Sequence, residues 1–120
     1  MSRLTDPIRL AAFTNALRNW NVVGYVRFEL TQTAHQWIRR EFDGVTLKDL
    51  GRLMHEYVEG GGEIDEVRET RPEWQDEHAF HYDLRFSIQG KPVYLESRLY
   101  YREPMVVDDS WILVVNVHTP

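Results

Sequence analysis

Three runs in the last third of this 120-residue chain alternate apolar and polar residues, and they leave little freedom in what it can fold into. From His81 to Ile88, Tyr82, Leu84, Phe86 and Ile88 oppose His81, Asp83, Arg85 and Ser87. From Val93 to Tyr101, Val93, Leu95 and Leu99 oppose Tyr94, Glu96, Arg98 and Tyr100. From Trp111 to His118, Trp111, Leu113, Val115 and Val117 form one face, and the other ends in Asn116 and His118. Period-two alternation buries one face of a strand and shows the other. The pattern predicts Leu84, Phe86, Leu95, Leu99, Leu113 and Val115 buried beneath helices. It predicts His81, Arg85, Glu96, Arg98 and His118 together on the opposite, open face.

The rest of the chain supplies the helices. Asp6-Pro7 reads as an N-cap followed by proline at the first helical position, and Leu10, Phe13, Leu17 and Trp20 fall on one stripe after it. Val22 to Leu30 reads as a strand. Thr33-x-x-Gln36 predicts a capping box opening a short helix to about Phe42, and Asp43-Gly44 ends it. Thr46-x-x-Asp49 caps a longer helix carrying Leu47, Leu50, Leu53, Met54, Tyr57 and Val58, which Gly60-Gly61-Gly62 stops with a left-handed cap. A strand from Ile64 to Thr70, a polar loop with Pro72, a hairpin at Gln89-Gly90-Lys91-Pro92 and a loop over 102–110 complete the order. The expected fold is one α+β domain over residues 1–120, with helices packed on one face of a four- to five-stranded antiparallel sheet. Within it, 1–30 reads as an N-terminal extension and 31–118 as the core.

Composition narrows the function classes. The hydrophobic fraction of 42% is that of a folded globule, and no apolar run approaches the length that crosses a bilayer. A cytoplasmic protein without membrane association is the expectation. Zero cysteines remove disulfides and thiolate chemistry. Residues 63–77 hold seven acids (Glu63, Asp65, Glu66, Glu69, Glu73, Asp76, Glu77) against Arg68 and Arg71, an excess equal to the whole net charge of −5. Elsewhere the chain is balanced, so a polyanionic ligand is compatible with it. The acidic segment itself reads as solvated and of little consequence for folding.

Several groups can carry chemistry. His35 and Arg39 lie four apart and share a helix face, a pairing that suits a phosphate as well as plain solvent. His81, Asp83 and Arg85 share one strand face, and Glu96 and Arg98 another. Such groups fit acid–base work with cationic stabilisation, and equally fit cross-strand ion pairs such as Glu96–Arg85. His118 stands beside Asn116 at the strand end. Tyr94 and its neighbouring tyrosines can stack on bases or simply favour strands. No metal or cofactor is expected: Glu77, His78 and His81 are loosely spaced, and the triple glycine follows a helix rather than opening one.

Two helices followed by an antiparallel meander resemble the metal-independent ribonuclease fold of the barnase–EndoU–colicin–RelE group, on the side of the RelE-type and MqsR-type toxins. The resemblance covers about residues 31–118. It rests on Thr33-Ala34-His35-Gln36-Trp37-Ile38-Arg39, Gly44-Val45-Thr46, Gly90-Lys91-Pro92-Val93-Tyr94-Leu95-Glu96 and the closing Trp111-Ile112-Leu113-Val114-Val115-Asn116-Val117-His118. It implies RNA cleavage by the ribose 2′-hydroxyl, with His35, Arg85, Arg98 and His118 as catalytic candidates. Arg39, His81, Tyr94 and Glu96 would bind substrate. RNA or a cognate antitoxin would be the partner, and a homodimer is among the expected assemblies. Two other readings stay open: a non-catalytic acidic protein that binds a protein partner, and a cystatin- or NTF2-like domain that encloses a small ligand.

Overall fold

The computed structural model describes residues 2–102 and 104–120. Strand β1 (Ser2–Arg3) leads into helix α1 (Pro7–Arg18), where the Asp6 carboxylate accepts the Arg9 amide at 2.9 Å and Pro7 fills the first turn as expected. Strand β2 (Val26–Phe28) is far shorter than the predicted Val22–Leu30 run. Gly24 sits at φ +100°, a left-handed turn that extended pairing does not pass through. Helix α2 (Gln32–Glu41) starts earlier than Thr33-x-x-Gln36 suggests, because the Thr31 hydroxyl takes the Ala34 amide at 3.1 Å and leaves Thr33 inside the first turn. Helix α3 (Leu47–Glu59) has the expected reciprocal Thr46–Asp49 cap. Its left-handed residue is Gly61, at φ +94°.

Strand β3 (Asp65–Arg68) and a one-turn helix α4 (Pro72–Gln75) follow; α4 lies in the segment read as a polar loop. Strands β4 (Phe80–Ile88) and β5 (Lys91–Tyr100) are joined through Gln89 and Gly90, both at positive φ, which is the hairpin geometry the dipeptide predicts. The expected 102–110 loop includes a short 3-10 turn over Val107–Asp109; position 103 lies outside the described residues. Strand β6 (Trp111–His118) closes the chain. No described helix is long and apolar enough to cross a membrane.

Among the described residues the sheet has six strands, in the order β1-β3-β4-β5-β6-β2. The antiparallel meander β3 to β6 is the expected one. The two edges differ from expectation: β1 adds an antiparallel pair on β3, and β2 lies parallel to β6, so the sheet is mixed. Both extra strands come from the first thirty residues, and so do Phe13 and Leu17, which are fully buried in the core. That N-terminal segment is therefore built into the sheet and its core. Ile38 of α2 and Leu50 and Met54 of α3 join them over Tyr82, Leu84, Leu95 and Leu99. Each such large apolar side chain contributes about 1.5–3 kcal/mol by leaving water.

The face assignment of β6 departs from the sequence pattern. Glu96 pairs with Asn116, but Ser97 pairs with Val114, so Val115 is an extra residue opposite a regular β5. The slip changes parity along β6. Ile112 and Val114 pack into the core with Val117, whereas Trp111 and Leu113 turn to the polar face beside Tyr100 and Arg98. Leu113 and Val115 thus do not lie beneath the helices. Nor is the polar face open throughout: the segment Glu69–His78, with α4, folds over its middle and leaves Arg98 with no exposed surface.

Candidate functional site

Regular pairing places Arg85 opposite Tyr94 and Tyr94 opposite His118, one row across β4, β5 and β6. The Arg85 guanidinium lies 5.1 Å over the Tyr94 ring, and the His118 ring is 4.7 Å from it on the neighbouring strand. Arg85 is also ion-paired with Asp65. His81, Asp83, Glu96 and Arg98 share that face, as the alternation predicts.

Arg98 sits in an ionic network. Its Nη1 donates to Glu96 at 2.8 Å, Nη2 lies 2.6 Å from Glu69 but out of line for a hydrogen bond, and the guanidinium stacks 4.7 Å over Trp74. Arg71 also grips Glu96, and its Nε reaches Glu69 at 3.2 Å. Burial pushes the Glu69 and Glu96 pKa values up, yet both end below the usual carboxylate range. For Glu69 the Arg71 amide and the Arg98 charge reverse the effect, and for Glu96 the hydrogen bonds from Arg71 and Arg98 do so. Enclosed in this way, Arg98 reaches no substrate. It fastens the α4 segment to the sheet.

Beside the network, His81 Nδ1 is 2.8 Å from Asp83; burial and that carboxylate push the Tyr94 phenol pKa up. His81, Asp83 and Glu96 bring possible metal-ligand atoms within 4.8 Å of one another. Glu96 is already neutralised by two guanidiniums, whose charge opposes a cation, so the cluster is satisfied as an ion-pair network.

A separate groove of about 360 Å³ opens where the end of β6 passes α2. It is lined by Trp37 and Arg40 from the helix, Thr31 and Thr33 from its start, and Asn116 and His118 from the strand, and among the described residues no carboxylate lines it. His118 Nδ1 lies 2.6 Å from the Thr119 carbonyl. A carbonyl only accepts, so Nδ1 is the donor in this contact, and in a neutral imidazole the lone pair is then on Nε2. The helix does meet the terminal histidine, but through residues the sequence reading passed over. Ala34 and Ile38 are buried and set the rotation of α2. Trp37 and Arg40 then flank the groove, while half-buried His35 and exposed Arg39 do not line it. The two buried positions were the available signal: a helical wheel centred on them separates 33, 37 and 40 from 35 and 39. Glu69, Arg71, Trp74 and His78 carried no such signal, since a loop brings them in.

No family model, curated protein or solved structure matches this chain.

Proposed function

We infer that the protein cleaves RNA without a metal, in the manner that the likeness to RelE- and MqsR-type ribonucleases implies, and that it does so in the groove between α2 and the end of β6. The observation that carries this reading is the lining itself. In a chain of net charge −5, a groove offers an imidazole, a guanidinium, an indole and two threonines, with no carboxylate among the described residues that line it. His118 Nε2 takes the proton of the ribose 2′-hydroxyl, whose oxygen attacks the adjacent phosphorus. The bond to the 5′-oxygen breaks, and that oxygen leaves with the proton returned by the imidazolium. Arg40 faces the charge that develops on the non-bridging oxygens, and the Trp37 indole stacks on a base. The acidic segment repels RNA less than its composition implies, because Glu63, Asp65, Glu66 and Glu69 are ion-paired with arginines within the fold.

The test is a purified protein incubated with a short single-stranded RNA in EDTA. Fragments ending in 2′,3′-cyclic phosphate are expected. His118→Ala should abolish them, and Arg40→Ala should slow their formation about 100-fold, the lower end of what one such group contributes. Intact RNA, or cleavage indifferent to His118→Ala, would overturn the reading.

A further inference from the structure

Far from the groove, a pocket of about 280 Å³ opens between the end of α4 and the end of β5, lined by Glu77, His78, Leu99, Tyr100 and Tyr101. His78 forms part of its wall and is only 7% exposed. Its ring meets Tyr100 edge-on at 4.5 Å, with Trp74 on the other side at 6.0 Å. Among the described residues Nε2 has no hydrogen-bond partner. In the neutral ring with its proton on Nδ1, Nε2 is a buried acceptor that nothing satisfies. Burial, followed by the Arg98 charge, holds the ring in that neutral state. The nearest carboxylate, Glu77, stands 3.9 Å from Nε2 and its side chain is 70% exposed, which leaves it free to turn.

Two independent features therefore meet here. One is an acceptor without a donor. The other is charge: Glu77 lines the pocket, and Glu73 and Asp76, just before it in the chain, are exposed and among the described residues have no ion-pair partner. Arg98, the cation that faces His78 from β5, is already matched by Glu69 and Glu96. Exposed Tyr101 adds an aromatic wall. An occupant must donate a hydrogen bond, carry positive charge and lie against a ring. A guanidinium does all three, with planar N–H groups able to reach a nitrogen and a carboxylate at once.

We propose that this pocket receives an arginine side chain from a basic segment of a protein partner, with His78 Nε2 accepting one N–H, Glu77 pairing with the charge and Tyr101 packing on the guanidinium. The site is separate from the RNA groove. Tyr94, beside His118, and Tyr100, beside His78, are six residues apart on β5, roughly 20 Å.

The test follows the side-chain nitrogen signals of ¹⁵N-histidine-labelled protein during titration with N-acetylarginine amide, with neutral N-acetylcitrulline amide as the isosteric control. A saturable upfield shift of His78 Nε2 is expected with the arginine compound. The citrulline compound should need at least tenfold more to reach the same shift, and Glu77→Gln should weaken arginine binding at least fivefold without moving the melting temperature. A tetrapeptide carrying two arginines should bind more tightly than the single amide, with the gain shrinking as salt rises, because Glu73 and Asp76 are solvent-exposed. No saturable shift at His78, equal response to the neutral analogue, or indifference to Glu77→Gln would each overturn the proposal. RNA cleavage by Glu77→Gln should equal that of the parent protein, so this test and that of the groove fail independently.

Discussion

Arg98 carries a large energetic consequence for a single residue. It has no exposed surface, and two buried carboxylates depend on it. Removing one partner of a buried ion pair leaves an uncompensated charge, at a cost of about 3–5 kcal/mol. Arg98→Met should destabilise by about that amount in urea, whereas replacing Arg98, Glu69 and Glu96 together with Met, Gln and Gln should recover most of the loss. A second residue-scale prediction concerns pH. His78 is held neutral by burial and by Arg98, with Glu77 and Glu69 opposing them, so its folded pKa lies below the ordinary 6.5. Below 6.5 the unfolded chain takes up a proton that the folded one does not, and stability falls as the solution is acidified. Glu69 and Glu96, with folded values below the ordinary 4.5, contribute stability above 4.5 that is lost as pH falls further. The melting temperature should therefore decline in two stages, and His78→Gln should remove the first; a first stage unchanged in that variant would disprove the assignment. Alternation alone put Arg98, Glu96 and His81 on one face. It could not show that a loop buries Arg98, because a loop's path over a sheet leaves no periodic trace in sequence.

Among the elements, β6 shows what pattern reading recovers and what it loses. Both faces of β4 and β5 follow their sequence parity, since their pairing is regular. In β6, one extra residue inverts the assignment of everything before it. Trp111, Leu113, Val115 and Val117 are all apolar at even spacing, and so are Ile112, Val114 and Val117 once a bulge intervenes; the run fits both registers. Only pairing with β5 selects the second. The bulge also gives the strand slack. Deleting Val115 would make Asn116 and Val114 consecutive partners of Glu96 and Ser97, a regular ladder in which each remaining side chain keeps its face. That deletion should still unfold cooperatively, within a few kcal/mol of the parent. Deleting Leu84 from the regular strand β4 should abolish cooperative unfolding, because half the strand would then present Asp83 or Arg85 to the core. Equal damage from both deletions in thermal melts would argue against the bulge. Helix starts were legible where the capping side chain had no rival, at Asp6 and Thr46. At α2 two threonines compete, and Thr31 wins because its oxygen reaches the Ala34 amide.

Over the whole molecule, the acidic segment 63–77 resolves into two populations that its sequence does not separate. Glu63, Asp65, Glu66 and Glu69 are consumed by Arg3, Arg85, Arg9 and the Arg71–Arg98 pair. Glu69 is 4% exposed, which overturns the expectation that the whole segment is solvated. Glu73, Asp76 and Glu77 remain in solvent. The partition decides what neutralisation should do. Glu73→Gln with Glu77→Gln removes only exposed charge, worth at most about 1 kcal/mol, and should leave the melting temperature nearly unchanged. Glu66→Gln with Glu69→Gln breaks a half-buried bond to Arg9 and Tyr82 and a buried one to Arg98. At about 3–5 kcal/mol, and roughly 3–6 °C per kcal/mol for a domain of this size, it should lower the melting temperature by 10 °C or more. For RNA the ordering is different. The end of β5 beside Glu77 lies roughly 20 Å along the strand from the end beside His118, more than twice the screening length of about 8 Å at physiological ionic strength. Neutralising the exposed acids should barely alter RNA association beside His118, whereas Arg40→Gln, in the groove, should weaken it and flatten its salt dependence. A large gain in RNA affinity from Glu73→Gln with Glu77→Gln at physiological salt would place the RNA across α4 rather than beside α2, and the groove would then not be its site.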